Sequence, residues 1–143
     1  MNVPRRPGDL ERIDEDECFR LLETAPYVRL GFVTARGPTI LPVNHLLLDR
    51  DLYFRTETGS KLATAAQEGP VAVQADGVDA DHRLGWSVVA HGRTSIVTDQ
   101  QLIERLLAED FTPWTGPDAK MFWVQVHFDE VSGRRIVGGA PRP

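Results

Sequence analysis

A single cysteine, Cys18, stands in the 143 residues, so neither an intrachain disulfide nor a cysteine-rich metal site can form. It falls in a stretch of helical periodicity, which predicts a buried structural thiol rather than a reactive one. No apolar run approaches the ~20 residues of a membrane-spanning helix, and MNVPRRPGDLERID lacks the apolar segment of a signal peptide. A cytoplasmic chain with no membrane contact is therefore expected. Positive charge is also short. The 16 Lys and Arg against 21 Asp and Glu leave a formal charge of −5, the wrong sign for gripping nucleic acid over a broad face.

Motifs are missing too. H-E-x-x-H, C-x-x-C and G-x-S-x-G are absent, as are the Walker order G-x-x-x-x-G-K-[ST] and a G-x-G-x-x-G after a strand. The four histidines, His45, His82, His91 and His127, have no ligand-like spacing. His45 and His91 fall on predicted strands, where a structural histidine is the expected role. Asp79-Ala80-Asp81 lacks the rest of a calcium loop and reads as a solvated turn. Catalysis by side chains alone thus finds little support.

What is present fits one domain over residues 1–143. At 41% hydrophobic and 26% charged residues, the chain can bury a core of ordinary globular type. Residues 1–12 read as an irregular arm. A helix opens at Asp14, with Glu17 completing a capping box and Ile13 and Cys18 as a staple. Phe19, Leu21 and Leu22 give it an apolar face, and Pro26 ends it. YVRLGFVTA then sets Val28, Leu30 and Phe32 against Arg29, Gly31 and Val33, the period of two of a half-buried strand. After the turn Arg36-Gly37-Pro38 come the strand TILPVNHLLL, the turn Asp49-Arg50-Asp51 and the strand LYFRT.

A short helix over Lys61 to Gln67 is stopped by Gly69-Pro70. PVAVQAD is a fourth strand, GVDADHRLG a loop, and WSVVAHGRTSIV a long strand with a bulge at Gly92. Thr98-Asp99-Gln100-Gln101 caps a helix over Leu102, Ile103, Leu106 and Leu107. The loop FTPWTGPDA, the strand MFWVQVHF, a turn at Ser132-Gly133, the strand RRIV and a frayed tail at 138–143 complete the chain. This order predicts a mainly β fold: a six- to seven-stranded antiparallel barrel with short helices and a Greek-key return.

FRTETGSKL is the stretch richest in chemistry. A phosphate monoester needs forked cations, hydroxyls and free backbone N–H groups. Gly59 lets the backbone approach closely, Ser60 can cap the following helix, and Arg55 at the strand end can reach the same point as a bidentate fork. Lys61 falls in the first helical turn, where a cation opposes the helix dipole unless an anion lies between. Glu57 is expected to face solvent. The motif alone leaves two readings open, an anion cradle and a plain capped helix.

The order LPVN, FRTETGSKL, GWSVVAHGR, a PW loop and MFWVQV resembles the small, single-domain branch of the pyridoxamine 5′-phosphate oxidase-like family, over roughly residues 14 to 137. The resemblance implies a flavin-binding split β-barrel and a homodimer, with FMN in grooves at the subunit interface. By that resemblance Arg55, Thr56, Ser60 and Lys61 hold the FMN phosphate, and Pro42, Val43 and Asn44 run beside the isoalloxazine. Trp86 and Ser87 lie near the ring or ribityl chain, and Trp114 and Trp123 are candidates to cover the flavin. Bottom-up, these tryptophans compete as core or dimer contacts. The Arg- and His-bearing C-terminal segment that grips pyridoxal phosphate in the vitamin B6 oxidases is not found, so the family name does not give the substrate. The implied function is an FMN-dependent oxidoreductase acting with a small-molecule electron donor or acceptor. A deazaflavin-dependent reductase and a non-catalytic flavin carrier are the alternatives, and haem ranks last.

Overall fold

The computed structural model describes residues 6, 8–65, 69–109 and 121–138. Their elements run β1 (Leu10–Ile13), α1 (Glu15–Thr24), β2 (Val28–Thr34), β3 (Gly37–Val43), β4 (Leu46–Leu48), β5 (Asp51–Glu57), α2 (Lys61–Ala65), β6 (Pro70–Asp79), β7 (Leu84–Ile96), α3 (Gln100–Ala108) and β8 (Met121–Ile136). One antiparallel sheet has the order β3-β2-β6-β7-β8-β5-β4, and β1 pairs with β8. The edge strands β3 and β4 are consecutive in the chain, with only Asn44 and His45 between them. A chain that leaves one edge and joins the other within two residues curls the sheet until its edges meet. The result is a barrel split at Asn44-His45. Helix α2 links β5 to β6, which stand three places apart in the sheet, and this is the expected Greek-key return.

Local chemistry explains the elements. Asp14 caps α1 by accepting from the Glu17 amide at 2.8 Å, and the acidic first turn suits the helix dipole. Cys18 and Leu22 are fully buried. On β2, Val28, Leu30 and Phe32 face inward as their alternation requires. β5 is covered on both faces. Leu52 and Phe54 enter the main core, whereas Tyr53 joins Trp123, Val97 and Leu106 in a second cluster beneath α3.

The structure departs from expectation at four places. One is the expected loop GVDADHRLG, whose ends pair as strand, with Gly77, Val78 and Asp79 in β6 and Leu84 and Gly85 in β7. Leu10–Ile13 is not part of an irregular arm but a strand on β8. TILPVNHLLL is two strands on opposite edges, because the chain must cross the split. Ser132-Gly133 is no turn: both residues lie inside β8, where Gly133 is opposite Val88 on β7. Glycine is required there because a Cβ would come within 2.8 Å of the Cys18 Sγ.

The expected irregularity at Gly92 is present. Between His91 and Gly92 the β7–β8 register shifts, leaving Asp129 as an extra residue on β8. One extra residue reverses the strand's parity. Val124 and Val126 face the core before the bulge, and Val131 and Gly133 after it.

Candidate functional site

Arg55 lies on β5 opposite Trp123 of β8. Its guanidinium carbon sits 5.2 Å from the centre of the Trp123 ring, and Trp123 is 4% exposed. The Arg55 Nε is buried and has no hydrogen-bond partner among the described residues. A buried N–H left unmade costs roughly 1–3 kcal/mol, so this fork is incomplete as it stands. Arg20, Arg29, Arg50, Arg105 and Arg135 each face a carboxylate; for Arg55 the described residues supply none. On the same face, burial first, then Asp51 and Asp49, push the Tyr53 phenol above its ordinary pKa.

Leu46 pairs with Tyr53, and the same register carried back two residues sets Asn44 level with Arg55. β4 pairs only with Asp51, Leu52 and Tyr53, so among the described residues no strand ladder covers this edge of β5 beyond Tyr53. Thr56 is buried on the inner face of β5, and its hydroxyl lies 3.0 Å from that of Ser60. The Ser60 Oγ also accepts the Ala63 amide at 2.9 Å, which makes it the cap of α2. Gly59 takes a φ of +85° in the turn between them. The mutual hydroxyl bond uses one O–H of the pair, leaving the other to donate elsewhere. Capped helix and anion cradle are therefore compatible. Lys61 opens α2, and its side chain lies outside the described part of the structure, as does all of Trp114.

The remaining candidates separate. Pro42 is exposed and Val43 half-buried at the end of β3. Ser87 points outward from β7, on the face shared by Asp76 and Gln74 of β6 and Pro42 of β3. Trp86, its neighbour, points inward and packs against the core. Trp86 pairs with Arg135 and Arg55 with Trp123, twelve residues apart along β8, or roughly 40 Å of strand at ~3.3 Å per residue. Within one chain, Trp86 and Ser87 do not join Arg55.

His45 is structural, as expected, but it lies in the crossing between β3 and β4 and not on a strand, and its partner was not legible in the sequence. Its Nε2 lies 2.6 Å from the Leu22 carbonyl oxygen, so that nitrogen donates and ties the barrel's split to α1. Nδ1 is then the acceptor, buried and without a partner among the described residues. Burial lowers the imidazole pKa below its usual value, and the Leu22 hydrogen bond opposes that only in part. A folded pKa below the unfolded one makes the protonated form the costly one. Stability is thus complete above about pH 6.5 and falls as pH drops toward the folded pKa, by at most ~1.4 kcal/mol per pH unit. We expect the urea midpoint to be lower at pH 5.5 than at pH 7.5, and His45→Gln to flatten that difference. Glu17, held at about 2 chiefly by its hydrogen bond to Arg20 and then by Arg135, contributes fully above about pH 4.5 and loses that contribution as pH falls from there toward 2.

Among the described residues no helix is long and apolar enough to cross a membrane, and no group of three metal-ligating side chains occurs. An uncharacterized protein of Mycobacterium tuberculosis, Rv0080, is 33% identical over 98% of this chain and 94% of its own length. The solved structure of an FAD binding protein from Mycobacterium smegmatis matches 89% of this chain and 100% of its own, with 29% identity and a TM-score of 0.77. An FAD-binding protein from Mesorhizobium loti shares the fold at a TM-score of 0.74 and 23% identity, over 90% of this chain and 99% of that one. The family model described as pyridoxamine 5′-phosphate oxidase matches residues 14–135, and the chain, a split β-barrel, belongs to that family.

Proposed function

We propose that the chain binds a flavin mononucleotide unit, with its phosphate at the β5 edge beyond Tyr53 and its isoalloxazine beside Pro42, Val43 and Asn44. The observation that carries this is Arg55: a cation stacked on Trp123, with a buried Nε that has no partner among the described residues, level with Asn44 on a strand edge where no ladder is present among them. The free hydroxyl donor of the Thr56–Ser60 pair and the neighbouring Lys61 add to the same charge requirement. The bound flavin supplies hydride or electron transfer, so the protein works as an oxidoreductase with a small-molecule donor or acceptor. The residues of this chain bind and orient. Arg55 and Lys61 neutralise the phosphate, and the Pro42–Asn44 backbone offers acceptors and donors to the polar edge of the ring (Pro42 only a carbonyl).

A homodimer completes the site. The outer face of β2 and β3 exposes Val33 and Ile40 at 70% and 68%, and Ser87 shares the outward face of that sheet. A second copy docked there brings its Ser87 toward the first copy's flavin, which one chain cannot do for itself. The M. smegmatis relative's name favours an FAD reading for the same mononucleotide position; a deazaflavin is the remaining alternative. Purified protein is expected to be yellow and dimeric by sedimentation. Mass analysis of the cofactor released on denaturation separates FMN, FAD and deazaflavin. Colourless protein that takes up none of the three at micromolar concentration overturns the reading.

A further inference from the structure

We propose that the groove between α1 and the ends of β1, β7 and β8 is a separate ligand site that takes a flat aromatic monocarboxylate. The groove has a volume of about 520 Å³, room for a bicyclic ring system. Its flat wall is the Trp86 indole. That ring lies over Gly77, where a Cβ would come within 2.4 Å of Nε1, so the glycine makes room for it. Leu21 of α1 and Leu84 of β7 supply the facing apolar surface. An aromatic body stacked on an indole gains from both area and ring geometry.

The polar end decides the ligand's charge. Arg20 grips Glu17 with two hydrogen bonds of 2.7 and 2.6 Å, while Arg135 reaches the same carboxylate with one of 3.3 Å. Most of the five N–H donors of Arg135 are therefore unused among the described residues. It faces this groove because the extra Asp129 reverses the parity of β8 and sets Arg135 beside Trp86. The lining charges are Glu11, Glu17, Arg20 and Arg135, which sum to zero. A dianion would meet two carboxylates with no surplus cation. A single carboxylate can share Arg135 with Glu17 by a bidentate fork. An uncharged aromatic leaves that fork unused. The flavin reading is not needed for any of these steps.

The probe is 2-naphthoate, titrated calorimetrically into the full chain as purified, with 2-naphthalenemethanol as the uncharged counterpart. Saturable binding at one site per chain is expected, at least about tenfold tighter than for the alcohol. Arg135→Gln should weaken it by about tenfold or more, since a charge-assisted bond is lost, and Arg55→Gln should leave it unchanged. Trp86→Ala should also weaken it; Arg135 is 41% exposed, so its variant keeps the test open if the tryptophan variant misfolds. Lack of saturation at millimolar naphthoate, or equal binding by Arg135→Gln, overturns the proposal. Loss of binding in Arg55→Gln also overturns it, by moving the probe into the flavin position. Retention of flavin absorbance is read in the same samples, so failure of this groove and failure of the flavin reading are distinguishable.

Discussion

The double variant Arg55→Gln, Lys61→Ala is expected to bind FMN at least about 100-fold more weakly than the parent chain. Each charge-assisted hydrogen bond contributes ~1.5–3 kcal/mol, and two together make ~3–6 kcal/mol. Riboflavin has the same ring without the phosphate and should bind parent and variant nearly equally; fluorescence titration with both ligands reads the difference. Arg55→Gln also removes a stack on Trp123 worth ~0.5–1 kcal/mol or more, which could loosen the barrel by itself. Arg50→Gln is the matched control. Arg50 stacks over Phe19 at 4.6 Å and pairs with Glu15 and Asp16, away from the proposed phosphate. It should cost comparable stability and leave FMN affinity intact. Equal FMN affinity in the double variant would put the phosphate elsewhere.

That assignment began as sequence pattern, and the pattern carried unequal weight along the chain. Helix α3 opens in the expected stretch, but its cap is Asp99 and not the Thr98 of the T-x-x-Q box. Asp14 does cap its helix as its neighbours predict, because capping is settled within three residues. The alternation of β2 and the bulge at Gly92 were legible for the same local reason. LERI was not, since Leu10 is 63% exposed and the strand exists through its ladder to β8, not through a buried face. Nor was the break within TILPVNHLLL, which exists only because the barrel must close. At the site, the period of two sends adjacent strand residues to opposite faces. Trp86 and Ser87 therefore part company, and so do Arg55 and Thr56. His45 gave no local signal, because its partner, Leu22, is 23 residues away.

Gly92→Ala is the single substitution expected to damage the fold most. A Cβ there would stand 2.2 Å from the His127 carbonyl oxygen and 3.2 Å from the Phe128 Cα. These are backbone atoms of the paired strand, so no side chain can swing aside. We expect a loss of about 3 kcal/mol and a fall in melting temperature of roughly 10 °C. Gly138→Ala meets nothing within 4 Å and should stay within about 0.5 kcal/mol of the parent. Gly77→Ala falls between them, because its neighbour is the movable Trp86 indole, and the change should register in tryptophan emission. An equal melting temperature for Gly92→Ala would mean that β7 and β8 separate there at little cost. The bulge matters beyond stability, since it alone sets which β8 side chains face inward after Asp129. If alanine makes β8 slip by one residue to escape the clash, Arg135 turns out of the groove beside Trp86 and Gly133 leaves Cys18. The same variant should then lose naphthoate binding at temperatures where it is still folded.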